Sequence, residues 1–167
     1  APVTDKAIFA YGRTSTYVSM SNLVNSSGVV AADVTGVGTA RTGVAGSGYG
    51  FNKAIFAYGF YSPDNLSMSN LVNSSGVIAA DTTGVGTARN APAGVSYGIS
   101  GQAMFAYGYS GARTSLKNLV TNQGVVGSDV TGVGTVRHQL AAAGYGVGLA
   151  IFGYGSEASD GRSSITN

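Results

Sequence analysis

Short apolar stretches alternate along this chain with glycine- and serine-rich punctuation, and none keeps the i, i+3, i+4, i+7 stripe of an amphipathic helix. The first stretch, AIFAYG (residues 7–12), sets Ile8 and Tyr11 among small residues. The second, YVSMSNLVN (17–25), alternates Val18 and Met20 with polar positions before Leu23. The third, GVVAADV (28–34), follows Ser26-Ser27-Gly28, which reads as a tight turn. A fourth strand is expected within TARTGVAGSGYG (39–50). Glycine-bounded runs of this length, rich in β-branched and Ser/Thr residues, predict strands rather than helices. The expected unit is therefore four strands, a to d in chain order.

The pattern returns. KAIFAYG at Lys6 recurs at Lys53, as QAMFAYG at Gln102 and as LAIFGYG at Leu149. The phenylalanines Phe9, Phe56, Phe105 and Phe152 are spaced 47, 49 and 47 residues apart. SNLVNSSGVVAADVTGVGTAR (21–41) recurs nearly unchanged at 69–89, and as KNLVTNQGVVGSDVTGVGTVR at 117–137. Tyr49, Tyr97 and Tyr145 fall 48 residues apart near the close of each unit. The chain reads as one repeat domain with units at 6–52, 53–101 and 102–148 and a partial fourth at 149–167. The fourth breaks off where Leu-Val should follow, which suggests a segment of a longer array or a terminus that another strand completes.

Composition narrows the classes of function. Of 167 residues, 27 are glycine, while 9 Lys+Arg and 7 Asp+Glu make only 10% charged. Without cysteine there is no disulfide framework, thiolate zinc site or cysteine nucleophile, and one histidine cannot build a multi-histidine metal site. A net charge of +2 gives no reason to expect a nucleic-acid partner. No apolar run approaches the roughly 18 residues of a spanning helix, so no membrane insertion is expected. No cofactor or metal is expected either. The 44% hydrophobic content argues for a folded chain.

Four strands per unit of about 48 residues fit a propeller blade, whose apolar faces are buried by stacking on neighbouring blades. The order AIFAYG … SNLVN … VVAADVTGVGTAR is similar to kelch-type β-propeller repeats, with Tyr-Gly at 11–12, 58–59, 107–108 and 154–155 standing where kelch repeats carry a glycine pair. The wording NLV-x-N-x-G-VV-x-x-D-x-TGVGTAR, with AAGYG and AIFGYG, also resembles tandem repeats of virion structural proteins of tailed phages, marine cyanophages in particular. That resemblance implies a virion or extracellular location, a structural role in a fibre, baseplate or capsid decoration, and no catalytic residues. The fold expected is all-β, with kelch-like propeller blades of four antiparallel strands. A β-trefoil-like three-fold repeat is the alternative, though a trefoil should finish after three units. Propellers close with about 4–8 blades. Three whole units and a fraction therefore predict completion by other copies or by a longer polypeptide.

Three sets of residues are candidates for chemistry. Asp33, Asp81 and Asp129 recur with Arg41, Arg89 and Arg137, always eight residues apart. They could form one ligand site per unit. The preferred reading is an Asp–Arg contact tying strands c and d within each blade, as an arginine fork suits a carboxylate. The regular tyrosines, Tyr11, Tyr58, Tyr107 and Tyr154 in strand a and Tyr49, Tyr97 and Tyr145 before it, could be exposed and stack sugars. The preferred reading is blade packing with each hydroxyl on a backbone group. The a–b loops differ between copies and carry Tyr17, Phe60, Tyr61 and Tyr109, the best ligand-binding candidates, with a cell-surface glycan as the possible partner. His138 stands where the other copies have Thr42 and Asn90, with no catalytic constellation around it. TGVGTAR superficially resembles a phosphate loop but lacks the Lys-Ser/Thr pair and a following helix. The chain thus reads as a non-enzymatic structural module partnered by copies of itself or other virion proteins. The alternative is a multivalent lectin.

Overall fold

The structure is a computed structural model that describes residues 6–157 and 161–167. Among these residues there is no helix, and every strand pairing is antiparallel. Strands β1 (Ala7–Arg13) and β2 (Tyr17–Val24) form the first sheet. The second holds β3 (Ala45–Tyr49), β4 (Lys53–Tyr61) and β5 (Asp64–Val72) in that order. The third repeats it with β6 (Ala93–Tyr97), β7 (Gln102–Ala106) and β8 (Lys117–Val120). The fourth pairs β9 (Ala141–Tyr145) with β10 (Leu149–Gly153). The result is a set of small antiparallel sheets.

Strand d of each unit joins the sheet of the next one. β3 ends the first unit yet pairs with β4, register Gly46 opposite Phe56 and Ser47 opposite Ile55. β6 and β7 repeat the register with Gly94 opposite Phe105. The close approach requires glycine: a Cβ on Gly46 would lie 2.9 Å from the Phe56 ring, and one on Gly94 would lie 2.8 Å from that of Phe105.

Strand c is shorter than the sequence predicts. Over residues 28–34 it makes only isolated bridges, Val24 to Val30 and Ser21 to Val34, and the later copies do the same. A side chain takes the place of the ladder between them. Asn70 Nδ2 donates to the Ala79 carbonyl (3.0 Å) and Asp81 Oδ1 (2.9 Å), and Asn118 does likewise with Gly127 and Asp129. The b–c turn is built as its sequence suggests. Asn25 Oδ1 accepts from the Ser27 and Val29 amides, and Gly28, at φ +77°, donates to the Asn25 carbonyl.

Successive sheets stack in series, and each core cluster takes side chains from two neighbouring sheets and the residues flanking their strands. Between the second and third sheets lie Tyr49, Ile55, Tyr58, Phe105 and Val120; between the third and fourth, Val95, Tyr107, Leu140 and Phe152. Between the first and second lie Phe56, Val72 and Ile78, with Ile8 and Tyr11 against them. Backbone bonds run along the stack as well: Ala91 N donates to the Gly43 carbonyl and Gln139 N to the Ala91 carbonyl, at 2.8 and 3.0 Å.

Candidate functional site

The regular polar residues meet at the joints between units. In strand a, the register shifts between Ala57 and Gly59, a bulge that places Tyr58 at φ +64° and Gly59 at +123°. Tyr11, Tyr107 and Tyr154 share this left-handed conformation, at φ of 64°, 63° and 62°. For a residue with a Cβ this conformation is unfavourable. Here it turns the ring toward the neighbouring sheet. Tyr58 meets Phe105 of the next unit edge-on at 5.7 Å, and its hydroxyl donates to the Val85 carbonyl. Tyr11 meets Phe56 edge-on at 5.6 Å, and Tyr107 meets Phe152 tilted at 5.7 Å.

The arginine sits beneath that ring. Arg89 lies with its guanidinium 3.8 Å from the Tyr58 ring centroid. Its Nε donates to the Tyr107 carbonyl at 2.8 Å and its Nη2 to Asn118 Oδ1 at 2.7 Å. Arg41 makes the corresponding bonds to Tyr58 and Asn70, at 2.8 and 2.7 Å, with Tyr11 stacked on it at 4.2 Å. Arg137 donates to the Ile165 carbonyl and to Asn167 Oδ1. All three arginine side chains are 0% exposed.

Asp81 and Asp129 each serve the preceding unit. Asp81 accepts from Thr39 through the backbone amide (3.0 Å) and hydroxyl (2.7 Å) and lies 3.9 Å from Arg41. Asp129 does the same for Thr87 and Arg89. The Asp–Arg contact therefore links consecutive units, Arg41 with Asp81 and Arg89 with Asp129, in place of the expected contact within one blade. The reason is topological. Strand d leaves its own sheet for the next one and carries the Thr-x-Arg segment with it. Asp33 has no such segment: it accepts from Asn22 Nδ2 at 2.7 Å, and no arginine among the described residues reaches it.

Burial pushes the Asp81 and Asp129 carboxyls up, but bonds from threonine and asparagine and the nearby arginine outweigh it, leaving both below the ordinary carboxylate range. Burial also lowers Arg41 and Arg89 and raises the Tyr11 and Tyr58 phenols, each against the opposing pull of its stacked partner.

The glycines of TGVGTAR are packing residues. Gly86, at φ +75°, lets the loop lie on the acid: a Cβ there would fall 2.7 Å from Asn118 Nδ2 and closer still to Asp129. Gly38 stands in the same relation to Asn70 and Asp81. The loop closes on a carboxylate of its own chain, the opposite of a phosphate cradle.

The regular tyrosines are mostly covered rather than exposed, Tyr49, Tyr58 and Tyr107 being buried, while Tyr145 and Tyr154 on the last sheet are open. The a–b loops bring three of the four ligand candidates together. Tyr17 lies 5.0 Å from Tyr61 and 6.4 Å from Phe60, with the Arg13 guanidinium 5.3 Å from the Tyr17 ring. Tyr109 stands apart, 5.8 Å from His138. Of the fourth a–b loop, residues 158–160 lie outside the described residues. Among the described residues no group of three His, Asp or Glu side chains could hold a metal.

Sequence reasoning missed Asn70, Asn118, Thr39 and Thr87, which complete the joints. The signal was there: the asparagine of NLV and the threonine of TAR or TVR recur in every whole copy. Comparison with known protein families and with curated proteins gives no match.

Proposed function

We propose that this chain is a non-enzymatic structural module built of propeller-type blades, working inside a larger assembly. The observation that carries the reading is the use made of the regular polar residues. Arg41, Arg89, Asp81 and Asp129 are spent joining one unit to the next, with asparagine, threonine and tyrosine packed around them. A protein whose repeated chemistry is consumed in this way is organised for extension rather than turnover. Open apolar positions on the outer sheets, including Phe9, Leu149 and Tyr154, fit association with other copies or other components. A virion fibre, baseplate or capsid setting is supported by the resemblance of the NLV … TGVGTAR wording alone. The test is the mass of the native particle by native mass spectrometry. A discrete oligomer is expected, and a stable 16.6 kDa monomer overturns the reading.

A second reading has its own observation. Tyr17, Phe60 and Tyr61 form an aromatic cluster with a cationic edge at Arg13, outside the joints. Such a surface can stack on a sugar ring, and repetition of weak sites in an oligomer would add avidity. A glycan array probed with the native particle tests it; uniform silence removes the lectin role.

A further inference from the structure

The first sheet carries an unfilled copy of the joint that the other sheets fill. β4 has β3 on one side and β5 on the other, and β7 lies between β6 and β8. Among the described residues β1 is paired only with β2, so its outer edge is open. An open groove of about 860 Å³ runs between that edge and β3, lined by Ile8, Phe9, Ala10, Gly46 and Phe56 among others. Phe9 is 62% exposed, whereas Phe105, its counterpart in the third unit, is 0% exposed. At the same end Asn22 and Asp33 are already bonded to each other, with the Asn22 amide also on the Ala31 carbonyl, as in the filled joints. Only the arginine and threonine are lacking.

We propose that this end is an acceptor for one further extended segment of the pattern Thr-x-Arg-x3-Ala-(Gly/Ala)-x2-Tyr. The chain itself defines the occupant three times, at 39–49, 87–97 and 135–145. By the register of β3 on β4, the segment's alanine falls opposite Ala10 and its glycine opposite Phe9. A small residue is needed there because Phe9 must lie flat beneath it, as Phe56 does under Gly46. The threonine and arginine fall on Asp33 and Asn22, as Thr39 and Arg41 fall on Asp81 and Asn70. Backbone pairing supplies affinity, and the arginine and glycine supply selection. A second folded copy has no such segment to spare, since β3, β6 and β9 are each paired within their own chain. The occupant is an additional segment of this chemistry. The inference deepens the assembly reading above and rests on it only for its biological setting.

The test adds a blocked synthetic peptide with the sequence of residues 39–51 to the whole chain and follows amide hydrogen exchange over residues 7–12. Saturable protection, with exchange slowed at least tenfold, is expected. A peptide with alanine in place of its arginine should bind at least tenfold more weakly, as should the intact peptide with chains carrying Asp33→Asn or Phe9→Ala. Both variants alter exposed side chains, and unchanged exchange in β7 confirms that they fold. No protection at saturation, or equal protection by the arginine-free peptide, overturns the proposal. Protection that rises with chain concentration in the absence of peptide also overturns it, because a second copy is then the occupant. Native mass without peptide reports separately on assembly: a monomer that binds the peptide sinks the assembly reading and keeps this one, and an oligomer indifferent to the peptide does the reverse.

Discussion

The guanidinium of Arg89 and the carboxylate of Asp129 lie 3.9 Å apart, although 40 residues separate them and each belongs to a different repeat. The separation is long for an ion pair, and their direct attraction is the smaller part of the joint. Both groups bond to Asn118, which stands between them: Arg89 donates to its carbonyl oxygen and its amide donates to Asp129. The amide relays one charge to the other, its oxygen taking the arginine and its nitrogen the carboxylate.

Removing the arginine should therefore be among the most harmful single changes. Arg89→Ala strips bonds from the Tyr107 carbonyl and Asn118 and opens a gap beneath the Tyr58 ring. Losing a fully buried side chain together with its bonds to buried acceptors should cost about 3 kcal/mol or more. Arg89→Lys should recover little, since one ammonium cannot supply the planar fork that reaches both acceptors. Denaturant midpoints of the two variants check this, the lysine form lying nearer to alanine than to the parent.

Acid should loosen the joints. Asp81 and Asp129 are held below the ordinary carboxylate range in the folded chain. The unfolded chain therefore binds protons first, and the stability these groups contribute is fully present above the ordinary aspartate value of about 3.9. It is lost as pH falls through their lower folded values. Urea midpoints measured from pH 6 down to pH 2 should drop over that window, and the Asp81→Asn, Asp129→Asn double variant should show a shallower drop from a lower starting stability.

Two glycines with the same backbone conformation should respond differently to alanine. Gly28 and Gly86 have φ of +77° and +75°. A Cβ on Gly28 meets nothing within 4 Å, so Gly28→Ala should bear only the left-handed penalty of about 1–2 kcal/mol. Gly86→Ala adds a collision with Asn118 and Asp129 and should lose clearly more. Thermal or chemical melts of the pair separate strain from crowding.

The equivalent phenylalanines should rank by position. Phe105→Ala empties a fully buried site and should cost about 3–5 kcal/mol. Phe9→Ala, from an open site, should change stability by well under about 1 kcal/mol in the absence of a strand over β1. Equal losses at both positions would show that β1 is covered in solution.

The strands could be read from the sequence because their signals are local. AIFAYG ends on a glycine and YVSMSNLVN alternates apolar and polar positions, and they form β1 and β2 within a residue of the expected limits. The turn at 26–28 followed from short-range chemistry in the same way. What could not be read was which unit each residue serves. Asp33 and Arg41 are eight apart and recur together, which suggested a contact inside one blade, whereas the strand carrying the arginine crosses into the next sheet. Spacing along the chain carries no record of that crossing. Strand c was overread for a related reason: its valines look like a continuous strand, but the Asn70 side chain displaces the ladder. The a–b loops were legible as variable, and their aromatic residues as candidates, but not which of them meet. Tyr17 and Tyr61 come from different repeats and touch only because their sheets stack.

Because β3 is the last strand of one repeat in sequence and the first of the next sheet in space, the unit that genes copy and the unit that folds are out of phase. A duplication or loss of 48 residues, begun at any point in the repeat, reproduces a complete Thr-x-Arg segment and a complete Asn–Asp receiver. Such an array can change length by whole units through recombination without exposing a new surface or needing a compensating mutation. The near identity of residues 21–41 and 69–89 is what a recent event of that kind leaves behind.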